Sequence, residues 1–220
     1  MSLARYKDLC IDAADPVALA AFWGRVLGRE PAPHRDGVVG LHGDSPEQTI
    51  WFNPVPEPKT VKHRVHLDLH VASVEELVEA GATVLEGDAL PWTVMADPEG
   101  GEFCAFPREG RTTCDLYEVI VDSADPARIA GWWAEVLGAR LDGEGDEVAL
   151  DQIPGAPFEY LVFGTVPEPK TVKNRVHLDV VVPDVEALVE RGARVLDRPA
   201  DRHWVVMADP EGNEFCAFST

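Results

Sequence analysis

Basic residues are scarce in this chain: 19 Lys and Arg stand against 39 Asp and Glu, a formal net charge of −20. No block of cations interrupts that balance, so a phosphate backbone is repelled and nucleic acid is excluded as a partner. Long apolar runs are missing as well. None approaches the roughly 18 residues that suggest a membrane span, so no membrane partner is expected. Met1–Lys7 lacks the apolar core of a secretory signal, from which a cytoplasmic location is expected. Cysteine is sparse: Cys10, Cys104, Cys114 and Cys216, with no CxxC and no dense spacing. That pattern excludes a disulfide scaffold and fits reduced thiols.

What is present is a repeat. Val55–Leu69 reads VPEPKTVKHRVHLDL and Val166–Val180 reads VPEPKTVKNRVHLDV, differing only at His63/Asn174 and Leu69/Val180. Val94–Phe106 and Val206–Phe218 share VMADPEGxEFCAF and differ only at Gly101/Asn213. Asp15-Pro16, Trp23 and Leu27-Gly28 reappear as Asp125-Pro126, Trp133 and Leu137-Gly138. The offset drifts from 110 (125 − 15) through 111 (177 − 66) to 112 (216 − 104), which is the mark of gene duplication. The period is too long for a solenoid, whose repeats run to roughly 20–50 residues. Two domains follow, 1–109 and 112–220. The stretches 29–54 and 139–165 are least alike, so any difference in what the copies bind is expected there.

Within a copy, Asp15 is a helix cap and Pro16 suits the first helical position. Leu19, Phe22, Trp23, Val26 and Leu27 follow at helical spacing, and Gly28 ends the run. Short strands are expected near 5–12 and 115–122, then pairs near 37–42 and 48–54, or 147–150 and 158–164. Val65–Val71 alternates, with Val65, Leu67, Leu69 and Val71 on one face and His66, Asp68 and His70 on the other. A helix ending at Gly81 and strands near 82–86, 92–96 and 102–107 complete the copy, the last two joined at Asp97-Pro98-Glu99-Gly100.

This order, with the motifs KTVKxRVHLD and DPEGxEFC, resembles the glyoxalase/bleomycin-resistance/dioxygenase superfamily, also called vicinal oxygen chelate. It is more narrowly similar to glyoxalase-like domain proteins whose last motif carries Cys. The likeness spans both copies. It implies an α+β fold of tandem glyoxalase-like domains, each of two βαβββ modules forming a half-open barrel around a cleft. The cleft of such proteins commonly holds a divalent metal, here Zn, Ni, Fe or Mn. Carried onto this sequence, the metal positions fall at Asp8 or Glu118, at His66 or His177, and at Cys104 or Cys216 in place of the usual Glu. The remaining position falls near Trp51 or Leu161, neither of which binds metal. Members include lyases, isomerases, oxygenases and metal-free drug-binding proteins, so the fold does not select an activity.

The residues themselves leave alternatives open. His66 and His177 suit metal binding or general-base work, or each bonds only Asp68 or Asp179 two residues on. Cys104 and Cys216 join a histidine and a carboxylate in a zinc set, or are small buried hydrophobes. Asp8 and Glu118 are ligands or proton acceptors, or solvated residues at a strand start. Arg64 and Arg175, beside Lys59, Lys62, Lys170 and Lys173, can receive a substrate carboxylate or phosphate, or pair with Asp68 and Asp179. Glu102 and Glu214 are barrel-lining carboxylates or partners of Arg. Trp51, Trp92 and Trp204 line a pocket or belong to the core. Two functions remain: a lyase-, isomerase- or oxygenase-type enzyme acting on a small oxygenated metabolite, or a metal-free protein that binds and sequesters a small molecule. The two covalent copies are expected to form an internal pseudo-dimer within a monomer, or else a homodimer.

Overall fold

The computed structural model describes residues 2–87, 90–200 and 202–219. Four βαβββ modules follow one another along the chain. The first comprises β1 (Arg5–Ala13), α1 (Pro16–Leu27), β2 (Pro31–Pro33), β3 (Val39–Leu41) and β4 (Ile50–Pro54). The second comprises β5 (Val65–Val71), α2 (Val74–Ala80), β6 (Thr83–Glu86), β7 (Thr93–Ala96) and β8 (Glu102–Pro107). The third has β9 (Asp115–Ser123), α3 (Pro126–Leu137), β10 (Arg140–Glu144), β11 (Glu147–Asp151) and β12 (Tyr160–Thr165). The fourth has β13 (Val176–Val182), α4 (Val185–Glu190), β14 (Arg194–Asp197), β15 (Trp204–Ala208) and β16 (Glu214–Ser219).

Local sequence explains the helices. The Asp15 carboxylate accepts the Ala18 N–H at 3.0 Å, and Asp125 accepts that of Arg128 at 3.2 Å. Each such cap stabilises its helix by about 1 kcal/mol. Gly28 and Gly138 stop the helices at φ of 67° and 70°, a conformation open to a residue without Cβ. Strands β2 and β10 are not foreseen from sequence. Pro31-Ala-Pro33 reads as a breaker, yet β2 is the last strand of its sheet, where a missing N–H costs little. Strand β10 is exposed along its whole length and so carries no apolar alternation.

The sheets do not follow the copies. One eight-stranded sheet has the order β14-β15-β16-β13-β1-β4-β3-β2, joining the first module to the fourth. The other runs β10-β11-β12-β9-β5-β8-β7-β6 and joins the second module to the third. The junctions are antiparallel pairs, β1 with β13 and β5 with β9. Neither sheet closes into a barrel among the described residues. Segments 55–64 and 166–175 carry the chain from one sheet to the other. They are tied reciprocally: Arg64 donates to the Glu168 carbonyl and Arg175 to the Glu57 carbonyl, each at 2.8 Å.

Within a copy, cohesion comes from aromatic packing. Trp23 on α1 meets Phe103 on β8 edge to face at 5.3 Å, and Trp133 on α3 meets Phe215 on β16 at the same distance. All four rings are buried, so each copy bridges the two sheets on their apolar sides. Burying such rings contributes roughly 2–3 kcal/mol each. The polar faces of the sheets are left to line the sites.

Candidate functional site

The first-sheet site rests on alternation in β1, which turns Asp8, Cys10 and Asp12 to one face. Across the antiparallel junction Asp8 lies in register with Asp179, and Cys10 with His177. The parallel pairing of β13 with β16 sets Asp179 beside Cys216. On the other flank Trp51 of β4 stands in register with Cys10. Residues at opposite ends of the sequence thus meet on one floor. A bulge between Tyr6 and Asp8 brings Lys7 onto the same surface, where its Nζ donates to Asp8 Oδ2 at 2.5 Å and lies 4.2 Å from the centre of the Phe218 ring.

This floor underlies a cavity of about 460 Å³ whose walls include Trp51, Trp204 and Phe218 and whose rim includes His34, Arg35 and Arg202. That volume suits a small molecule. The Trp51 indole N–H donates to Asp8 Oδ2 at 3.0 Å, and the Cys10 thiol donates to Asp179 Oδ2 at 3.5 Å. His177 Nε2 is 3.7 Å from Cys216 Sγ and 3.6 Å from Asp179 Oδ1. Asp8 Oδ1, His177 Nδ1 and Asp179 Oδ1 are buried without a hydrogen-bond partner among the described residues. Such buried polar atoms are rare and costly.

Burial governs the protonation states here. It pushes the Asp179 carboxyl well up, and the Asp8 charge alongside pushes it further. It raises the Cys10 and Cys216 thiols, with Asp179 as the next cause. It lowers His177 more than Asp12 can restore. At neutral pH the floor therefore offers two thiols and a neutral imidazole, beside a carboxyl whose ionisation burial opposes.

The second-sheet site is built the same way. Asp68 is in register with Glu118 and with Cys104, and His66 Nδ1 bonds Asp68 Oδ1 at 2.8 Å. Burial, then Asp68, raises Glu118 to about 8. Ile120 stands across from His66, where the first site has Cys10 facing His177. Tyr117 stacks on His70 with centroids 3.9 Å apart and meets Phe106 and Tyr160 edge to face. Trp92 stacks on Phe106 at 5.4 Å.

Of the residues singled out from sequence, Asp8, His177 and Cys216 come together with Asp179, Trp51 and Trp204. His66, Cys104 and Glu118 come together with Asp68. Asp8 is buried, not a solvated residue at a strand start. Arg64 and Arg175 stand elsewhere, along the connecting segments. Arg64 bonds the carbonyls of Glu168 and Asp122, while Arg175 bonds the Glu57 carbonyl and the Glu99 carboxylate, so neither pairs with Asp68 or Asp179. Glu102 and Glu214 accept from Lys59 and Lys170 at 2.8 Å and from the backbone of His63 and Asn174. Sequence reasoning missed Lys7, Cys10, Asp12 and Arg202. The alternation of β1 carried a signal for Cys10 and Asp12; the bulge that turns Lys7 inward left none.

A test of the donors against a divalent metal is favourable at both floors. Ligand atoms of Cys10, His177 and Asp179 lie within 4.8 Å of one another, as do those of His66, Asp68 and Cys104. Mixed sulfur, nitrogen and oxygen donors suit zinc.

Solved structures share this architecture. Glyoxalase I from Zea mays aligns with a TM-score of 0.68 at 15% identity, covering 98% of this chain and 92% of that one. A putative dioxygenase from Bacillus subtilis aligns with a TM-score of 0.68 at 15% identity, covering 99% and 86%. At such identities the likeness is one of fold. No curated protein matches the chain in sequence. The glyoxalase-like domain matches residues 8–106 and again 118–218, nearly the whole sequence. The chain belongs to the glyoxalase-like domain family, within the vicinal oxygen chelate superfamily, and carries that domain twice.

Proposed function

We propose that this chain is an enzyme that binds a small oxygen-bearing molecule in the first-sheet cavity and moves a proton on it. The observation that carries the reading is the convergence of Cys10, His177, Asp179 and Cys216 on the lining of a cavity of about 460 Å³, with His177 Nδ1 and Asp179 Oδ1 buried and without a hydrogen-bond partner among the described residues. Polar atoms placed so are matched by a bound group.

Cys10, His177 and Asp179 are the residues that would hold a divalent metal, with Asp8 behind them. Such a metal polarises a substrate oxygen as a Lewis acid. The chain's own groups supply the proton chemistry. With Cys10, His177 and Asp179 as the ligands, the carboxylate on the cavity lining that would accept a proton is Asp12, whose other oxygen pairs with Lys173. Trp51, Trp204 and Phe218 exclude water and hold a flat molecule over these atoms.

A second reading is a metal-free protein that sequesters such a molecule. It is favoured by Trp51, which stands on the strand where the family places a further ligand and whose N–H occupies one oxygen of Asp8.

The two are separated by metal content, measured by mass spectrometry on untagged protein purified without added metal, for the wild type, His177→Ala and His66→Ala. Near-stoichiometric zinc, nickel, iron or manganese lost in His177→Ala but kept in His66→Ala supports the enzyme reading at the first-sheet site. Protein that carries no metal and takes none up on titration removes the metal-assisted reading and leaves sequestration.

A further inference from the structure

Each sheet ends in two edge strands, β14 and β2 in one and β10 and β6 in the other. An exposed edge pairs with a further strand unless something on it prevents the pairing. In β2, Pro31 and Pro33 lack the N–H groups that a ladder needs. Strand β10, laid antiparallel on the β10 of a second chain, would set Asp142 against Asp142, and its Arg140 is already bonded to Asp151.

Strands β6 and β14 hold matching places in the two copies and expose the same apolar pair: Val84 and Leu85 at 45% and 53%, Val195 and Leu196 at 37% and 49%. Their surroundings differ in charge. Val74–Gly87 and Val185–Arg198 align without a gap at an offset of 111 (185 − 74). Glu76, Ala80, Thr83 and Gly87 of the first stand where the second has Ala187, Arg191, Arg194 and Arg198. The first segment has carboxylates at Glu75, Glu76, Glu79 and Glu86 and no cation. The second sets Glu186, Glu190 and Asp197 against three arginines, so in a chain of net charge −20 the β14 edge is locally neutral. Arg191 pairs with Glu135 and Arg198 with Glu186. Arg194 and Asp197, exposed at the two ends of β14, have no ion-pair partner among the described residues.

We propose that β14 is the contact through which two chains form a symmetric dimer, the two strands running antiparallel about a twofold axis between Val195 and Leu196. In that register Arg194 of each chain faces Asp197 of the other, and Val195 faces Leu196. Two ion pairs then flank an apolar centre, and no charge meets its like. The other pairings match less well. Strand β6 on β6 sets Glu86 against Thr83 and brings two wholly acidic segments together. Strand β6 on β14 pairs Glu86 with Arg194 but leaves Asp197 against Thr83, and such a head-to-tail contact does not close. A bulge in the pairing of β14 with β15, between Val195 and Asp197, limits the new ladder to a few residues. The dimer is therefore weak, with a dissociation constant of about 10–100 µM.

Sedimentation velocity of the full chain from about 1 to 300 µM tests this at about 0.15 M salt, where a Debye length of about 8 Å screens the repulsion between two acidic chains but spares touching pairs. The wild type is expected to pass from monomer to dimer and no further. Arg194→Asp and Asp197→Arg each set two like charges face to face, and each is expected to weaken the dimer at least about tenfold. The double variant Arg194→Asp/Asp197→Arg restores both pairs with their signs exchanged and is expected to dimerise like the wild type. An equimolar mixture of the two single variants is likewise expected to form a heterodimer, since every contact in it is between opposite charges. Recovery in the double variant and in the mixture also shows that the single variants are folded. A wild type that stays monomeric throughout overturns the proposal. So does a dimer that the single variants leave intact, because the interface then lies elsewhere. Loss in the single variants without recovery overturns the antiparallel register, and species that grow beyond the dimer overturn its closed symmetry.

Discussion

Changing Gly101 to Asn, the residue carried by the second copy at the matching position, should destabilise the protein by about 1–3 kcal/mol, the usual cost of overpacking a filled site. A Cβ at Gly101 would lie 2.6 Å from Asp97 Oδ2 and 2.8 Å from His63 Cε1. Both contacts are closer than side chains tolerate, and His63 is held in place because its backbone N–H bonds Glu102 at 2.9 Å. In the second copy the same space contains Asn174, whose Nδ2 donates to Asn213 Oδ1 at 3.0 Å, while Asn213 Nδ2 donates to Asp209 Oδ2 at 3.1 Å. The differences at His63/Asn174 and Gly101/Asn213 are thus one compensated exchange: imidazole plus hydrogen, or two amides. The double variant His63→Asn/Gly101→Asn should recover most of the loss as Asp97 turns to meet the new amide. In a chain of 220 residues a 2 kcal/mol loss lowers Tm by about 4–8 °C. Urea and thermal denaturation of the wild type, both single variants and the double complete a mutant cycle. The reasoning is refuted if Gly101→Asn alone is as stable as the wild type, or if the double variant loses as much as the two singles combined.

Other outcomes follow from the same contacts. Trp51→Phe keeps the ring but removes the N–H that Asp8 Oδ2 accepts, and should cost about 1–2 kcal/mol in urea denaturation while weakening binding of a flat ligand. Arg64→Ala breaks bonds to two carbonyls across the connecting segments, at 2.8 and 2.9 Å. It should destabilise by about 2–3 kcal/mol yet leave ligand affinity at the first-sheet cavity unchanged in calorimetry, whereas a substrate-binding arginine would lower that affinity. Glu118 is held at about 8, against 4.5 for an ordinary glutamate, by burial and then by Asp68. The folded chain therefore keeps this proton where the unfolded chain loses it. The contribution is full below about pH 4.5 and is lost as pH rises through about 8. Glu118→Gln should flatten that decline when urea midpoints are compared at about pH 5 and 8; an unchanged slope would show that Glu118 is ionised in the folded chain.

Much of the fold was legible because its signals are local. Asp15-Pro16 and Asp125-Pro126 cap and open helices that end at Gly28 and Gly138, since a cap and a left-handed glycine act within a few residues. The alternation of Val65–Val71 placed Leu67 and Leu69 in the core and His66 and Asp68 on the other face. Strands β2 and β10 escaped notice because an edge strand needs neither apolar alternation nor every N–H. Arg64 and Arg175 stood out because charge is visible in a sequence, whereas the carbonyls of Glu168, Asp122 and Glu57 that they bond are not.

The sequence by itself determined that the chain is a duplicated α+β protein, which side chains share a strand face, and that His66/His177 and Cys104/Cys216 occupy matching places in the two copies. Only the tertiary structure decided which of them meet. Alternation fixes the face a residue shows but not the strand that pairs with it, and the identical VHLD motifs could have served either partner. By pairing β1 with β13 and β5 with β9, the fold sets Asp8 beside Asp179 and Glu118 beside Asp68, so each site takes its residues from both copies. The burial that pushes the Asp179 carboxyl up and the His177 imidazole down likewise exists only once those strands have joined.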